Sequence, residues 1–241
     1  MENKLGFFFK HQIWHLGGTI ILFYIGAQLV DLKSNTNTFI GISALGWFMI
    51  AMSIPIIHQA YVWVCWRSEL CWKTISKTIG FKAYAIIFFI LGLSRFSAIV
   101  LCYVDYGSLY NPGWLAWTLA LILFIPGAYT MYSVRKYFGF LRATGIDHFE
   151  PKYKDIPFER RGIFKWTPNA MYVFGIGIPF TFAVATGSQS MFVVAIYTYI
   201  SGWLHYFCTE KEDFKIIYGL SLIHISEPTR RYAISVGVVW V

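Results

Sequence analysis

Residues 83–104 read "AYAIIFFILGLSRFSAIVLCYV", 22 positions with a single charge, Arg95. About 20 mostly apolar residues suffice for a helix to cross the hydrocarbon of a bilayer, so this stretch predicts a transmembrane helix. Similar runs lie on both sides of it. Residues 13–30 follow a short basic head with Lys4 and Lys10 and are expected to form a retained signal-anchor helix. Residues 39–66 form a second expected span, apolar up to Arg67, and residues 113–134 a fourth, with a kink expected at Pro126. Residues 170–207 are apolar but interrupted by the uncharged "TGSQS" at 186–190. They read either as two short spans, 170–186 and 190–207, or as a helical hairpin dipping into the membrane. The expected fold class is an all-α integral membrane protein, one domain over residues 1–219 built as a bundle of five to six transmembrane helices.

Composition points the same way. Of 241 residues 57% are hydrophobic and 13% charged, with a mean hydropathy of +0.54. Soluble domains carry about 25% charged residues, so most of this surface is expected to meet lipid. Ten Trp and sixteen Tyr suit rings placed at two headgroup belts. The net charge of +8 raises the question of nucleic acid, but its distribution answers otherwise. Arg67, Lys73, Lys77 and Lys82 fall between 58 and 82, and eight Lys or Arg, from Arg135 to Lys165, fall between 133 and 169. The alternate loops hold Lys33 alone and, at 105–112, nothing basic. The positive-inside rule therefore predicts a cytoplasmic N-terminus and cytoplasmic basic loops, with an anionic lipid surface rather than nucleic acid as partner. Cys65, Cys71, Cys102 and Cys208 make no CxxC, so no zinc site or disulfide framework is expected.

The polar groups gather at that same end. A charge at bilayer depth is costly, which makes Arg95 a functional candidate. "HYFCTEKEDFKIIYG" at 205–219 brings His205, Glu210, Glu212 and Asp213 to the exit of the last apolar run. "RKYFGFLRATGIDHFEP" at 135–151 brings Arg135, Asp147 and His148, and "NAMYVFGIG" at 169–177 brings Asn169, Tyr172, Gly175 and Gly177. A lone GIG in an apolar helix more often marks close packing than a nucleotide contact, and no strand precedes it. Beyond about Gly219, "SLIHISEPTR" resembles a translated sequencing adaptor, so residues 220–241 are expected to be a non-native tail without function.

Four stretches together resemble the phosphatidylethanolamine N-methyltransferases, within the wider group that includes isoprenylcysteine carboxyl methyltransferase. "SIPIIHQAYVWVCWRSEL" is similar to the family's apolar helix ending in Trp and Arg-x-Glu, on Trp63, Arg67 and Glu69. "LGLSRF" resembles its next helix, on Arg95, and "RKYFGFLRATGIDHFEP" its Tyr-Phe-Gly-x-Leu segment. "NAMYVFG" with the 197–219 run resembles its Asn-Pro-Met-Tyr entry and Glu-Glu exit. Here Ala170 stands for the Pro, and Lys211 for the second Glu, leaving Glu212 as the nearest acid.

The resemblance implies methyl transfer from S-adenosylmethionine to an acceptor lying in the membrane. It implies Glu210, His148 and Asp147 as catalytic groups. Glu210, Glu212, Tyr172, Asn169, Gly175, Gly177 and His205 are then expected at the cofactor, and Arg95, Arg67 and Arg135 at the phospholipid substrate. The alternatives are the same chemistry on a prenylcysteine carboxylate or small thiol, and a non-catalytic small transporter or scaffold. The bilayer is expected to be a bacterial inner membrane or the endoplasmic reticulum, with the site facing the cytoplasm.

Overall fold

The computed structural model describes residues 3–219 apart from 154, 155 and 158, so the expectation about 220–241 lies outside the described residues. The chain is all-α. We label its main helices α1 (Lys4–Phe9), α2 (Gln12–Gln28), α3 (Ala44–Trp72), α4 (Gly80–Val104), α5 (Trp114–Phe138), α6 (Met171–Thr186) and α7 (Gln189–Tyr218). Four of them, α3, α4, α5 and α7, are long and apolar enough to cross a membrane. The only strands among the described residues, Thr38–Phe39 and Ile42–Ser43, pair antiparallel just before α3.

Three boundaries differ from the sequence expectation, each for a local reason. The second span does not start at 39, because Ile40 and Gly41 take positive φ and turn the chain. Ser43 then caps α3, its Oγ accepting from Gly46 N at 3.2 Å. At its far end α3 runs past Arg67 to Trp72. The last apolar run also continues: α7 passes through the acidic residues and ends at Tyr218.

The "TGSQS" break is the tip of a hairpin between α6 and α7. Gly187 takes the left-handed conformation, and a Cβ there would overlap the Tyr110 carbonyl oxygen. Ser188 caps α7 by accepting from Met191 N at 3.1 Å. Asp105 fastens the tip, accepting from Ser188 Oγ at 3.0 Å, Ser190 N at 2.8 Å and Ser190 Oγ at 2.6 Å. Asn35 and Asn37 both donate to Val104 O, at 3.0 and 2.9 Å, and Gln189 donates to Leu29 O at 3.0 Å. The tip thus shares one end of the bundle with the loops at 29–43 and 105–112. The hairpin traverses the bundle instead of dipping part-way into it.

Packing centres on α7, which touches α2, α3 and α6. Phe48 and Met52 of α3, Leu101 and Val104 of α4, and Met191, Val194 and Tyr197 of α7 form the main apolar core. The outward faces are apolar too: Ile13 is 83% exposed, Trp14 74% and Leu121 62%. Contiguous apolar surface on this scale is foreign to a water-solvated monomer and suited to lipid.

Gly187→Ala is expected to destabilise the bundle by about 2–4 kcal/mol, through left-handed strain and overlap with Tyr110. A thermal midpoint in detergent equal to that of the parent protein would contradict this account of the tip.

Candidate functional site

At the other end the helices enclose a cavity of about 390 Å³, within the ~300–1,000 Å³ of small-molecule sites. Three helices change to π-helical turns as they reach this end: Val134–Phe138 in α5, Met171–Gly175 in α6 and Tyr206–Glu210 in α7. A π-turn adds one residue to a helical turn and re-aims the side chains around it, and such turns concentrate at functional sites. Here the three present Phe138, Tyr172 with Gly175, and Glu210 to the cavity. Opposite them α4 changes to a 3₁₀ turn at Arg95.

Seven of the residues expected from sequence line this cavity: Glu210, Asp147, His148, Tyr172, Gly175, His205 and Arg95. Tyr172 donates its hydroxyl hydrogen to Glu210 Oε2, joining α6 to α7 at the cavity wall. Arg95 Nε is buried without a hydrogen-bond partner, and no carboxylate pairs with its guanidinium among the described residues. Six of the ten buried side-chain atoms left without a partner among the described residues belong to cavity residues: both ring nitrogens of His58, and one nitrogen each of Arg95, Arg142, His148 and His205. Buried polar atoms are normally satisfied, so this concentration marks a space for a polar ligand or water.

His148 is packed between two carboxylates. Its Nδ1 lies 3.3 Å from Asp147 Oδ1, and its Nε2 faces Asp213 Oδ2 at 3.5 Å, an ion-pair distance without hydrogen-bond alignment. Burial opposes its charge, but Asp147 and Asp213 outweigh burial and raise its pKa to about 9. Burial likewise pushes the Asp147 carboxyl up, yet His148, the Tyr218 hydroxyl and Arg142 bring it below its ordinary value. The imidazole stacks on Trp66 with ring centroids 4.1 Å apart. That stacking needs Gly145, at φ 78°, because a Cβ there would overlap the indole.

The other expected residues lie elsewhere. Arg67 is fully buried and its donors are spent on the protein: Nε on Asp213 Oδ1 at 2.9 Å, Nη1 on Phe7 O and Lys10 O at 2.9 and 2.7 Å, and Nη2 on Cys208 O at 2.9 Å. It is a structural hub and has no donor left for substrate. Glu212 pairs with Lys10 at 3.4 Å and with Lys215, off the cavity wall. Arg135 is exposed, and Asn169 and Gly177 do not line the cavity. His58, which the sequence places with Arg67 and Glu69 at the same end, also lines the wall, whereas Trp66, Phe88, Phe214 and Arg142 lie within apolar or charged stretches with no local signal to single them out. No cluster of three or more His, Cys, Asp or Glu suited to a metal occurs among the described residues.

The fold and site thus define a helical bundle with a polar cavity at its basic end. No protein-family model, curated protein or solved structure matches the chain.

Arg67→Ala is expected to cost about 3–5 kcal/mol, since it strips the buried Asp213 of its hydrogen-bonded partner and leaves only the unaligned His148. A double change of Arg67 and Asp213 to apolar residues of similar size should recover much of that loss in thermal unfolding. The raised pKa of His148 has a second consequence. Its stabilisation is complete below the unfolded-state value of about 6.5 and is lost as pH rises through about 9, an effect on the order of 3 kcal/mol. Thermal midpoints of the parent protein should fall between about pH 7 and pH 10. His148→Gln should flatten that slope, and an unchanged slope would refute the assignment.

Proposed function

We propose that this chain is a membrane-embedded, S-adenosylmethionine-dependent methyltransferase. Its acceptor is the amine of phosphatidylethanolamine or of the methylated intermediates on the way to phosphatidylcholine. The bundle holds five to six spans, and the cavity opens to the cytoplasm, where the Lys and Arg distribution assigns the basic loops.

One observation carries the reading: a single cavity unites a carboxylate held by a tyrosine, Glu210 with Tyr172, and an unpaired arginine, Arg95. Both charge signs are therefore on offer to one ligand, as a zwitterionic amino-acid group or an ethanolamine headgroup requires. The lining also suits a sulfonium cofactor in its aromatic faces, Trp66, Phe88, Tyr172 and Phe214, since rings attract cations. The unpartnered nitrogens of His58, Arg142 and His205 supply further polar contacts. When bound, S-adenosylmethionine supplies an electrophilic methyl group, and the main task left to the protein is alignment.

The residues divide that task. An acceptor ammonium must lose an N–H proton before its nitrogen has a lone pair, and Glu210 is the proton acceptor the cavity offers. Asp147 is the poorer base, because its negative charge is held by His148, Tyr218 and Arg142. His148 itself is protonated at neutral pH and accepts no proton; it positions Asp147 and Asp213. Arg95 and Arg142 replace Arg67 and Arg135 as the basic groups facing a ligand.

Membranes containing the protein, incubated with methyl-labelled S-adenosylmethionine, are expected to yield label in mono-, di- or trimethylated ethanolamine lipids. Glu210→Gln should lower that rate by about 10²–10⁴-fold, the usual worth of a positioned proton acceptor. Label in no lipid, protein or thiol would overturn the enzyme reading. Label in a prenylated protein or a thiol alone would overturn the acceptor.

A further inference from the structure

The depth of Arg95 decides which anion it can meet. Lys82, near the start of α4, marks the basic end of the bundle, and Asp105, just past the end of α4, marks the opposite one. Arg95 lies 13 residues from Lys82 and 10 from Asp105. At 1.5 Å per residue it sits about 20 Å below the first and about 15 Å from the second, near the middle of a hydrocarbon layer about 30 Å thick. Helical side chains lean towards the helix N-terminus, so the guanidinium points back towards the cavity mouth yet stays below the headgroup layer. A phosphate anchored to two acyl chains in that leaflet resides at the interface and does not descend to this depth.

The cavity is polarised along the same axis. Arg95, His58 and His205 lie together in its lining, and their unpartnered nitrogens include Arg95 Nε and both ring nitrogens of His58. The ionisable groups that interact with the guanidinium, Tyr172, Tyr197, His58 and His205, include no carboxylate. Of the acids in the lining, Asp147 is already paired with His148 and Arg142, which leaves Glu210, 22 residues and about 33 Å along the chain from Ser188 at the hairpin tip, as the acid nearest the basic end of the bundle. A ligand matched to this gradient enters with its negative end leading and its positive end trailing.

We infer that Arg95 is the anchor for the carboxylate of the soluble cofactor, not for the phosphate of the lipid acceptor. The cofactor's amino-acid end lies in the inner part of the cavity, and the mouth beside Glu210 is left to the acceptor headgroup. This inference rests on the methyltransferase reading and reverses the substrate role that the family resemblance implies for Arg95.

Equilibrium binding to the full chain in detergent tests it with S-adenosylhomocysteine and with decarboxylated S-adenosylmethionine. The parent protein should bind S-adenosylhomocysteine. Arg95→Gln should weaken that binding by about 10- to 100-fold, the range for one charge-assisted hydrogen bond. The same variant should bind the decarboxylated compound within about twofold of the parent, which also shows that it folds. Acceptor lipid concentration at half-maximal rate should not move. Intact S-adenosylhomocysteine binding with a raised acceptor requirement would overturn the inference and return Arg95 to the lipid phosphate. If Arg95→Gln fails to fold, the parent protein decides alone, because equal affinity for S-adenosylmethionine and its decarboxylated form, which differ only in the carboxylate, would overturn it. A parent protein that binds neither compound would instead sink the methyltransferase reading itself.

Discussion

The Arg67–Asp213 pair is the constraint on which the basic end of the bundle depends. A guanidinium removed from water must spend its donors in protein, and Arg67 does so by tying its own α3 to the end of α1 and to α7. The carbonyls of Phe7 and Lys10 can accept from Arg67 because α1 ends there and no helical ladder continues past them. The Cys208 carbonyl is free to accept because the π-turn at Tyr206–Glu210 disturbs the regular ladder of α7. Lysine cannot substitute, since a point charge lacks the planar fork that reaches α1 and α7 together. Asp213 extends the link to a fourth element, its second oxygen facing His148 in the loop after α5. The wall of the cavity formed by Trp66, Gly145 and His148 therefore hangs on an ion pair that never touches the cavity.

The π-turns serve the same end. A regular α-helix that meets a bundle end simply continues its stripe of core residues. Inserting one residue rotates the remainder of the helix, so α6 and α7 bring Tyr172 and Glu210 face to face although 38 residues separate them. The rotation also explains why α7 outlives its apolar run. Beyond Glu210, Asp213 and Ile217 turn inward and stay buried, while Lys211 lies over the Phe207 ring. The charged segment is helical because Arg67 and Lys10 compensate its acids.

Much of the fold was legible in the sequence because its signal is crude: runs of about 20 apolar residues need no register or pairing information. The features that stayed illegible depend on partners far along the chain. The strand turn at 38–43 hides in an apolar run, and only the positive φ of Ile40 and Gly41 separates it from α3. The end of α7 was misplaced because a run rich in charge ordinarily stops an apolar helix. At the site, residue type alone pointed to Glu210, Tyr172, His148 and Arg95, all of which line one cavity. It also pointed to Arg67, because a sequence does not say whether an arginine's donors are already spent. Trp66 and Phe88 looked like ordinary members of a span.

The two buried arginines therefore carry opposite meanings. Arg67 meets an acceptor in every direction it offers a proton, so its charge is neutralised within the fold. Arg95 sits deeper in the apolar layer, where an uncompensated charge is most costly, and has no carboxylate of the described chain to face. Each buried polar atom left unsatisfied costs about 1–3 kcal/mol, and the cavity collects several. A bundle of this size has only a few kcal/mol of net stability to lose. Such groups persist where something other than the chain completes them, and here they share one cavity with Glu210, a carboxylate that Tyr172 holds in place. The placement of those two groups, Arg95 deep along α4 and Glu210 near the basic end of α7, then sets the direction in which a zwitterion fits.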